Sequence, residues 1–529
     1  MFLDNILSDI NKPLTFKIVA FFILSLPTFQ SCSQIQNILF ALFIPNFKCK
    51  FNSKSKFIVS KDQCSILMNG TTMNCKEWDF SLLPIGSTLV SDFGLVCDNR
   101  YLGDVILMVW YAMFLLGPLV GFMSDRFGRK NIVILSLVLE TFSSILLALS
   151  PNFATYLTFR ILLGLSASAV YISIVWLIES VSIEFRPFIG SFYWFYWTVA
   201  YMVFPITSFL ARDWRLSQLF TLIPSVFYLF IFFMPESPRW LCVMNRKDEM
   251  MESLRFMSKI NRLRFDVEKD QIYVENLVKE GNICVACKDT DFQSRSITAL
   301  FCAFSINLIY SSMLVDIGIL SSNMYLSVFL LGLMELPSLL LSYYVLRYIK
   351  RKIGFLLIGG VGSLLLFISI FFSKSIPLQS VIRIVLGCLS KIAISSCNQN
   401  IMVYVNELFP TTHRSFGITL LLISNFLSFS GAVLINRLSV ISYFLPTLIY
   451  FSFLWIVGVV VYFSLPETKD LPIPETLIDM KMLKCGKEEE FVFYMQNKHK
   501  YFNHTVDNSD EKSSENLNEK SKLITGKNK

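Results

Sequence analysis

The stretch Gly121-Phe-Met-Ser-Asp125-Arg126-Phe-Gly128-Arg129-Lys130 is a short charged turn between two long apolar runs. One acid stands among three bases in this turn. Each flanking run is about 20 residues long, the length of an α-helix that crosses the hydrocarbon core of a bilayer. The stretch therefore predicts two membrane-spanning helices joined by a tight turn on one face of the membrane.

The composition extends this prediction to the whole chain. Of its 529 residues, 54% are hydrophobic and 16% are charged, and the mean hydropathy is +0.55. About twelve apolar runs of roughly 17 to 25 residues recur along the sequence. Only a helix satisfies its own backbone in lipid, so the chain is predicted to be an all-α polytopic membrane protein. The predicted spans are 16–43, 104–123, 131–150, 154–178, 187–210, 216–234, 297–317, 323–345, 353–373, 380–404, 415–436 and 443–464.

A hydrophilic loop, 45–103, separates the first two spans and contains four cysteines, Cys49, Cys64, Cys75 and Cys97. Four cysteines in one polar segment predict two disulfides, for which three connectivities are open. Disulfides require an oxidising compartment, so we expect this loop to be extracellular. Asn69-Gly-Thr71 is a glycosylation sequon in the same loop, and Asn69 is its predicted acceptor.

Three features occur twice and predict two related six-helix halves. Glu179 and Arg186 are separated by six residues, as are Glu407 and Arg414. Pro-Glu-Ser at 235–237 closes the sixth span, and Pro-Glu-Thr at 466–468 closes the twelfth. The predicted domains are an N-terminal bundle 1–234, a cytoplasmic linker 235–296, a C-terminal bundle 297–470 and a disordered cytoplasmic tail 471–529.

The distribution of basic residues sets the orientation. Lys and Arg cluster at 126–130 and 350–352, whereas the connections between spans 3 and 4 and between spans 7 and 8 carry none. The positive-inside rule then places both termini and 235–296 in the cytoplasm. We expect a multi-pass plasma-membrane protein, in which the net charge of +8 orients the chain and does not indicate nucleic-acid binding.

Several motifs mark a family. The turn 121–130 resembles the loop between helices 2 and 3 of the major facilitator superfamily. Further motifs, covering about 45–480, resemble the organic cation, anion and carnitine transporter family within it. They are Cys75-Lys-Glu-Trp-Asp-Phe80, Thr88-Leu-Val-Ser-Asp-Phe-Gly-Leu-Val-Cys-Asp98, Pro235-Glu-Ser-Pro-Arg-Trp-Leu241, Asn323-Met-Tyr325, Glu335-Leu-Pro337, Glu407-Leu-Phe-Pro-Thr411, Pro466-Glu-Thr-Lys469 and Pro474-Glu-Thr476.

The resemblance implies the major facilitator fold, with two parallel six-helix repeats and a substrate site between them. It also implies the carriage of small organic ions across the plasma membrane by alternating access. Members with anion substrates tend to have a Lys four residues after the acid of helix 8 and an Arg in helix 11. Leu339 and Phe426 stand at those positions here. Their identity favours cations or zwitterions over anions.

Ionisable residues inside predicted spans are the first candidates for a substrate site, because such groups cost roughly 2.5–3.5 kcal/mol to insert. Glu335 and Lys391 lie at similar depth, so we expect them to face each other. They form either a permanent structural ion pair or a site where an organic cation competes with Lys391. Tyr310, Gln399 and Phe426 complete the predicted substrate site.

Other charged and aromatic residues in the spans have structural interpretations. Arg160 and Glu140 are candidate partners for each other. Tyr193 is interpreted as an aromatic residue of the membrane interface.

Charged residues near the predicted cytoplasmic face suggest a gate that holds the inner side shut. The predicted gating residues are Asp125, Arg126, Arg129, Glu179, Arg186, Glu236, Glu407 and Arg414. The second-half counterpart of the turn has Arg347 where an acid is expected and lacks the glycine. This difference argues against a symmetric pair of gates.

No pattern of residues predicts an enzyme, a cofactor or a metal site. Histidine is confined to 413, 499 and 504, and no phosphate-cradling Gly-rich loop is present. We expect the protein to act as a monomer in the lipid bilayer with a small organic ion as substrate. A sugar porter and a non-transporting membrane receptor on the same fold are the alternatives. A sugar porter usually has a short first outer loop, which this chain lacks.

Overall fold

The computed structural model describes most of the chain outside the predicted linker and the C-terminal end. The described residues are 2–50, 58–59, 63–68, 71–75, 77–80, 86–167, 169–263, 288–315, 324–372, 376–410, 414–442, 444–472, 474, 476–483, 487 and 489–495. The predicted glycosylation site Asn69 lies outside them.

Long apolar helices dominate the described residues. Eleven of these helical segments are long and apolar enough to cross a membrane, and Arg414–Arg437 is a further helix whose apolar part is shorter. We number these twelve segments as spans in chain order, so that Arg414–Arg437 is span 11. The other spans are Thr15–Ala41, Cys97–Phe127, Arg129–Ala148, Phe153–Ser180, Arg186–Ala211, Trp214–Phe232, Thr290–Leu314, Met324–Tyr348, Arg351–Ser369, Leu378–Leu408 and Leu445–Ser464.

Several spans are interrupted where the predicted helices were continuous. Span 1 breaks between Leu24 and Pro27, and span 6 contains a 3-10 turn, Ile223–Tyr228, that includes a proline. Proline has no N–H to donate and its ring clashes with the preceding turn, so a helix bends or ends there. The component helices are Thr15–Leu24, Pro27–Ala41, Tyr101–Ala112, Gly117–Phe127, Arg129–Ala148, Phe153–Ser166, Ala169–Ser180, Arg186–Phe192, Phe195–Ala211, Trp214–Phe220, Leu229–Phe232, Thr290–Val315, Met324–Tyr348, Arg351–Gly354, Gly360–Ser369, Pro377–Leu408, Arg414–Arg437 and Leu445–Ser464.

The segment between spans 1 and 2 forms two small antiparallel sheets. Its strands are β1 (Phe47–Cys49), β2 (Ile58–Val59), β3 (Ser65–Met68), β4 (Thr71–Asn74) and β5 (Trp78–Phe80), paired as β1–β5 and β2–β3–β4. Disulfides join Cys49 to Cys75 and Cys64 to Cys97, one of the three connectivities left open by the sequence. We call this end of the helix bundle the loop face, and the end that carries Gly121–Lys130 the turn face.

Helices outside the spans pack on the turn face. Phe2–Ile10 buries apolar residues in the same core as Lys247–Ile260, and Asn261 accepts from the backbone N–H of Phe16 at 2.8 Å. The chain also keeps regular structure beyond 470, where a disordered tail was expected. The helix Leu477–Met482 begins with a Thr476–Asp479 capping box. Lys481 of this helix pairs with Asp289, the residue before the start of span 7.

The two six-helix halves touch through small residues. A Cβ atom on Gly117 of span 2 would lie 2.3 Å from Leu422 of span 11, and one on Gly190 of span 5 would lie 2.1 Å from Val403 of span 10. Both distances are far shorter than van der Waals contact. Small residues let membrane helices approach closely, and these glycines fix how the halves meet.

We therefore expect Gly190→Leu to destabilise the protein by about 1–3 kcal/mol, the usual cost of overpacking a core. The thermal unfolding midpoint of the detergent-purified variant should fall. Gly387→Leu in span 10 is the matched control, because a Cβ atom there meets nothing within 4 Å. Equal midpoints for the two variants would contradict this account of the interface.

Candidate functional site

A central cavity of about 110 Å³, measured as the volume open to the centre of a water-sized sphere, lies between the halves. Eight spans contribute to its wall, namely 1, 2, 4, 5, 7, 8, 10 and 11. Many of the side chains that line the cavity are aromatic rings or amides. They are Trp110, Tyr111, Phe114, Tyr171, Trp194, Trp197, Tyr310, Asn307, Asn398, Gln399 and Asn425.

Glu335 is the charged residue among those that line this cavity. Its Oε1 lies 2.8 Å from Nζ of Lys391 and accepts hydrogen bonds from Tyr310 Oη at 3.1 Å and Ser395 Oγ at 3.0 Å. Its Oε2 accepts from Ser338 Oγ at 3.3 Å. Three groups thus converge on one oxygen, while the other retains capacity for a further donor.

Lys391 neutralises Glu335 from behind the cavity wall. Its side chain is only 2% exposed, and it is not among the lining residues. Nζ lies 3.7 Å from the ring centroid of Tyr310, so the ammonium gains a cation–π contact in addition to the ion pair. The structure thus brings the predicted pair together, with Tyr310 between the lysine and the cavity. Gln399 also lines the cavity and donates to Ser338 at 3.1 Å.

Phe426, like Lys391, is a predicted substrate residue that does not line the cavity. It packs against the apolar core formed by spans 2 and 4, and the neighbouring Asn425 lines the cavity and donates to Tyr171 at 2.5 Å. Successive residues on a helix point about 100° apart, so a shift of one position changes the face. The prediction for Phe426 is wrong for this reason.

Two predictions about residues in the first half are also wrong. Tyr193 is fully buried, and its hydroxyl donates to the carbonyl of Val170 at 2.5 Å, so it is a core residue and not an interface aromatic. Arg160 and Glu140 do not pair. Arg160 donates to Gln34, and within the described residues Oε1 of Glu140 has no hydrogen-bond partner.

Arg129 organises a buried charged cluster on the turn face of the first half. Its guanidinium lies 2.6 Å from Asp125 and 3.3 Å from Glu179, and Ser237 donates to the same Glu179 at 2.7 Å. The carboxylate of Glu236 accepts from the backbone N–H of Arg129 at 3.1 Å. The predicted gating residues Asp125, Arg129, Glu179 and Glu236 therefore form one network.

Gly128 is the backbone feature that permits this network. Its φ is +101°, which glycine adopts readily, and a Cβ atom there would lie 2.3 Å from Oε2 of Glu236. Glu236 follows the last helical turn of span 6. Burial raises the pKa of its carboxyl above the ordinary value, against the backbone N–H groups of Ser237 and Lys130, which lower it.

The second half repeats the cluster, contrary to the expected asymmetry. Arg351 pairs with Glu407 at 3.2 Å, and Thr468 donates to Glu407 at 2.7 Å, as Ser237 does to Glu179. Glu467 accepts from the backbone N–H of Arg351 at 2.8 Å. Arg351 therefore corresponds to Arg129.

The one missing member of the second cluster is the counterpart of Asp125. Arg347 stands four residues before Arg351, as Asp125 stands four before Arg129, and its guanidinium lies over the rings of Tyr343 and Tyr348. The replacement removes one ion pair and leaves the rest of the second cluster intact.

Three predicted gating residues are not among the contacts described for the two clusters. Arg126 is exposed, and its guanidinium lies 5.7 Å from the ring of Phe127, outside the Arg129 network. Arg186 is buried at the start of span 5. Arg414 begins span 11, and its side chain lies outside what the structure describes.

Sequence reasoning missed most of the cavity wall. Asn307 donates to Ser424 at 3.0 Å across spans 7 and 11, and Trp110, Trp194 and Tyr171 supply aromatic surface. Asn307 and Tyr310 are three residues apart on one face of span 7, and this spacing was the available signal.

Comparisons with known proteins agree on a transporter family. Residues 98–476 match the family model described as sugar (and other) transporter. Solute carrier family 22 member 3 of Mus musculus is 27% identical over 425 residues, covering 78% of this chain and 76% of that protein. Solute carrier family 22 member 6-A of Xenopus laevis is 27% identical over 436 residues, covering 79% and 77%.

Solved structures show the same fold. The proton:xylose symporter XylE bound to 6-bromo-6-deoxy-D-glucose superposes with a TM-score of 0.62 at 14% identity, covering 87% of this chain and 97% of that chain. The human organic anion transporter MFSD10 gives a TM-score of 0.51 at 15% identity, covering 70% and 87%. The solute carrier family 22 relatives confirm the resemblance found in the sequence. The chain belongs to the sugar (and other) transporter family and is a multi-pass membrane transporter of the major facilitator superfamily.

Proposed function

We propose that the protein carries small organic cations or zwitterions across the plasma membrane by alternating access. In this proposal the loop face is extracellular, and both termini lie in the cytoplasm. The bundles 1–234 and 297–470 move against each other around the central cavity, with 235–296 as the cytoplasmic linker.

The carboxylate of Glu335 is the observation that carries the proposal. It lines the cavity, and its Oε2 has one described hydrogen bond, from Ser338 at 3.3 Å. A carboxylate offers about four lone-pair sites, so a substrate cation can bind Oε2 while Lys391 stays on Oε1. The cation need not displace the lysine completely, which distinguishes this arrangement from simple competition.

The aromatic wall adds attraction for the same class of ligand. Tyr171, Trp194, Trp197 and Tyr310 line the cavity with Glu335. A cation over the face of an aromatic ring gains about 0.5–2 kcal/mol, more where water is excluded. These rings also accept varied apolar groups, so they favour organic cations over small inorganic ones.

The two arginine clusters stabilise the turn-face end of each bundle. Arg129 and Arg351 each bind a carboxylate from the end of the fourth span of their own half, and a second acid caps the helix that begins at the arginine. Removing one partner of a buried pair costs about 3–5 kcal/mol. Such clusters hold the turn-face ends of each bundle rigid, so that the bundles move as units during the transport cycle.

We expect Glu335→Gln to lower the kcat/KM of cation uptake by about tenfold or more, because a charge-assisted hydrogen bond contributes about 1.5–3 kcal/mol. Uptake of labelled small organic cations in oocytes, normalised to surface protein, measures the change. Glu140→Gln is the matched control, since Glu140 is equally buried but does not line the cavity.

Glu335→Gln leaves Lys391 without its carboxylate, so a double variant separates binding from folding. Glu335→Gln with Lys391→Gln removes both charges and should reach the surface, yet still fail to take up cations. Unchanged cation uptake in both variants would eliminate the proposed role of Glu335.

A second prediction concerns the Arg129 cluster. Asp125→Ala should lower the turnover rate severalfold without abolishing surface expression, because Arg129 keeps Glu179 but loses a contact of 2.6 Å. Arg126→Ala removes a neighbouring charge that lies outside the cluster and should leave turnover unchanged. Normal transport by the Asp125 variant would refute the assignment.

A further inference from the structure

Arg160 in span 4 is a fully buried cation whose described partners are neutral. It donates to Oε1 of Gln34 at 3.3 Å and to the backbone carbonyl of Gln34 at 2.9 Å. Within the described residues no carboxylate forms an ion pair with it. Arg129, Arg351 and Lys391, which are also buried, each have one. A buried charge without a counter-ion is costly, so this site calls for an anion.

Three donors at this site are unsatisfied, and one of them belongs to Arg160 itself. Nε of Arg160, Nε1 of Trp110 and Oη of Tyr156 are buried and have no hydrogen-bond partner in the described part of the chain. Tyr156 lies one turn before Arg160 on the same face of span 4. The guanidinium lies 4.5 Å from the ring of Trp110. Guanidinium and indole nitrogens only donate hydrogen bonds, and such a set of groups suits an acceptor with negative charge.

The position of these groups relates them to the cavity. Trp110 and Tyr111 form part of the cavity wall, and Arg160 lies directly behind Trp110. Glu335 is on the wall contributed by the other half. The cavity wall thus carries a carboxylate in one half, and an uncompensated guanidinium lies next to a wall residue, Trp110, in the other half.

We propose that Arg160, Tyr156 and Trp110 form an anion-binding subsite beside the cavity, which takes a small monoanion. The anion is the carboxylate of a zwitterionic substrate or a free halide. The first source rests on the proposed function, because it requires the cationic end of the same substrate to bind Glu335. A shift of the Trp110 ring opens the subsite to the cavity.

Betaine and betaine methyl ester test the first source, since they share the quaternary ammonium group and differ in the charge of the carboxyl group. We expect Arg160→Gln to weaken the uptake affinity for betaine by about tenfold or more, and to leave that for the ester within about twofold. Tyr156→Phe keeps the charge of Arg160 and removes one donor. It should therefore also weaken the affinity for betaine relative to that for the ester, by a smaller factor.

A thermal-shift measurement on the purified protein tests the second source. If a halide binds, the wild-type unfolding midpoint is higher in sodium chloride than in sodium gluconate of equal ionic strength, and Arg160→Gln abolishes the difference. This measurement needs no transport, so it remains informative even when neither betaine nor its ester is taken up, a result that would count against the proposed function. Equal losses of betaine and ester uptake, together with no chloride effect on the wild type, would overturn the subsite.

Discussion

A charge inside the bundle is costly unless it finds a partner, because lipid provides none. Arg129 with Glu179, Arg351 with Glu407 and Lys391 with Glu335 are three solutions, and each pair joins different spans of the same half. The first two join the turn-face ends of spans 3 and 4 and of spans 9 and 10. The third places a carboxylate on the wall of the central cavity, where it is neutralised from one side only. The geometry of the halves and the chemistry of the cavity therefore follow from the same constraint.

The near-twofold internal repeat is visible most clearly in the charged clusters. Ser237 and Thr468 each donate at 2.7 Å to the glutamate that binds the arginine, and Glu236 and Glu467 each cap the helix that begins at that arginine. The sequence comparison aligned the turns by their acid and glycine, which the second half has lost. The element that both halves share is the arginine that starts the next helix. The two halves thus keep the same cluster of contacts, although the sequence of the turn differs between them.

Much of the architecture was predictable, because the length and spacing of apolar runs directly reflect the bilayer. The pairing of Glu335 with Lys391 followed from their equal depth. The rotation of each helix about its own axis could not be predicted from the apolar runs. This rotation decides which side chains line a cavity. Phe426 points into the core while Asn425 lines the cavity, and Tyr193 lies in the core and not at the membrane interface. Arg160 and Glu140 have opposite charge and lie in consecutive spans, yet Gln34 of span 1 takes the place of the expected partner. Such choices depend on the packing of at least three helices, which no local pattern encodes.

The central claim is that the cavity carries a positively charged group of an organic substrate across the membrane. Uptake of labelled small organic cations into oocytes at the resting potential and at collapsed potential tests it most directly. A single transported charge responds to about 2.3 kcal/mol per 100 mV, so the account predicts saturable uptake that falls on depolarisation. Absence of uptake of both cations and the zwitterion betaine, despite protein at the cell surface, would contradict the claim and favour a membrane receptor that retains the transporter fold.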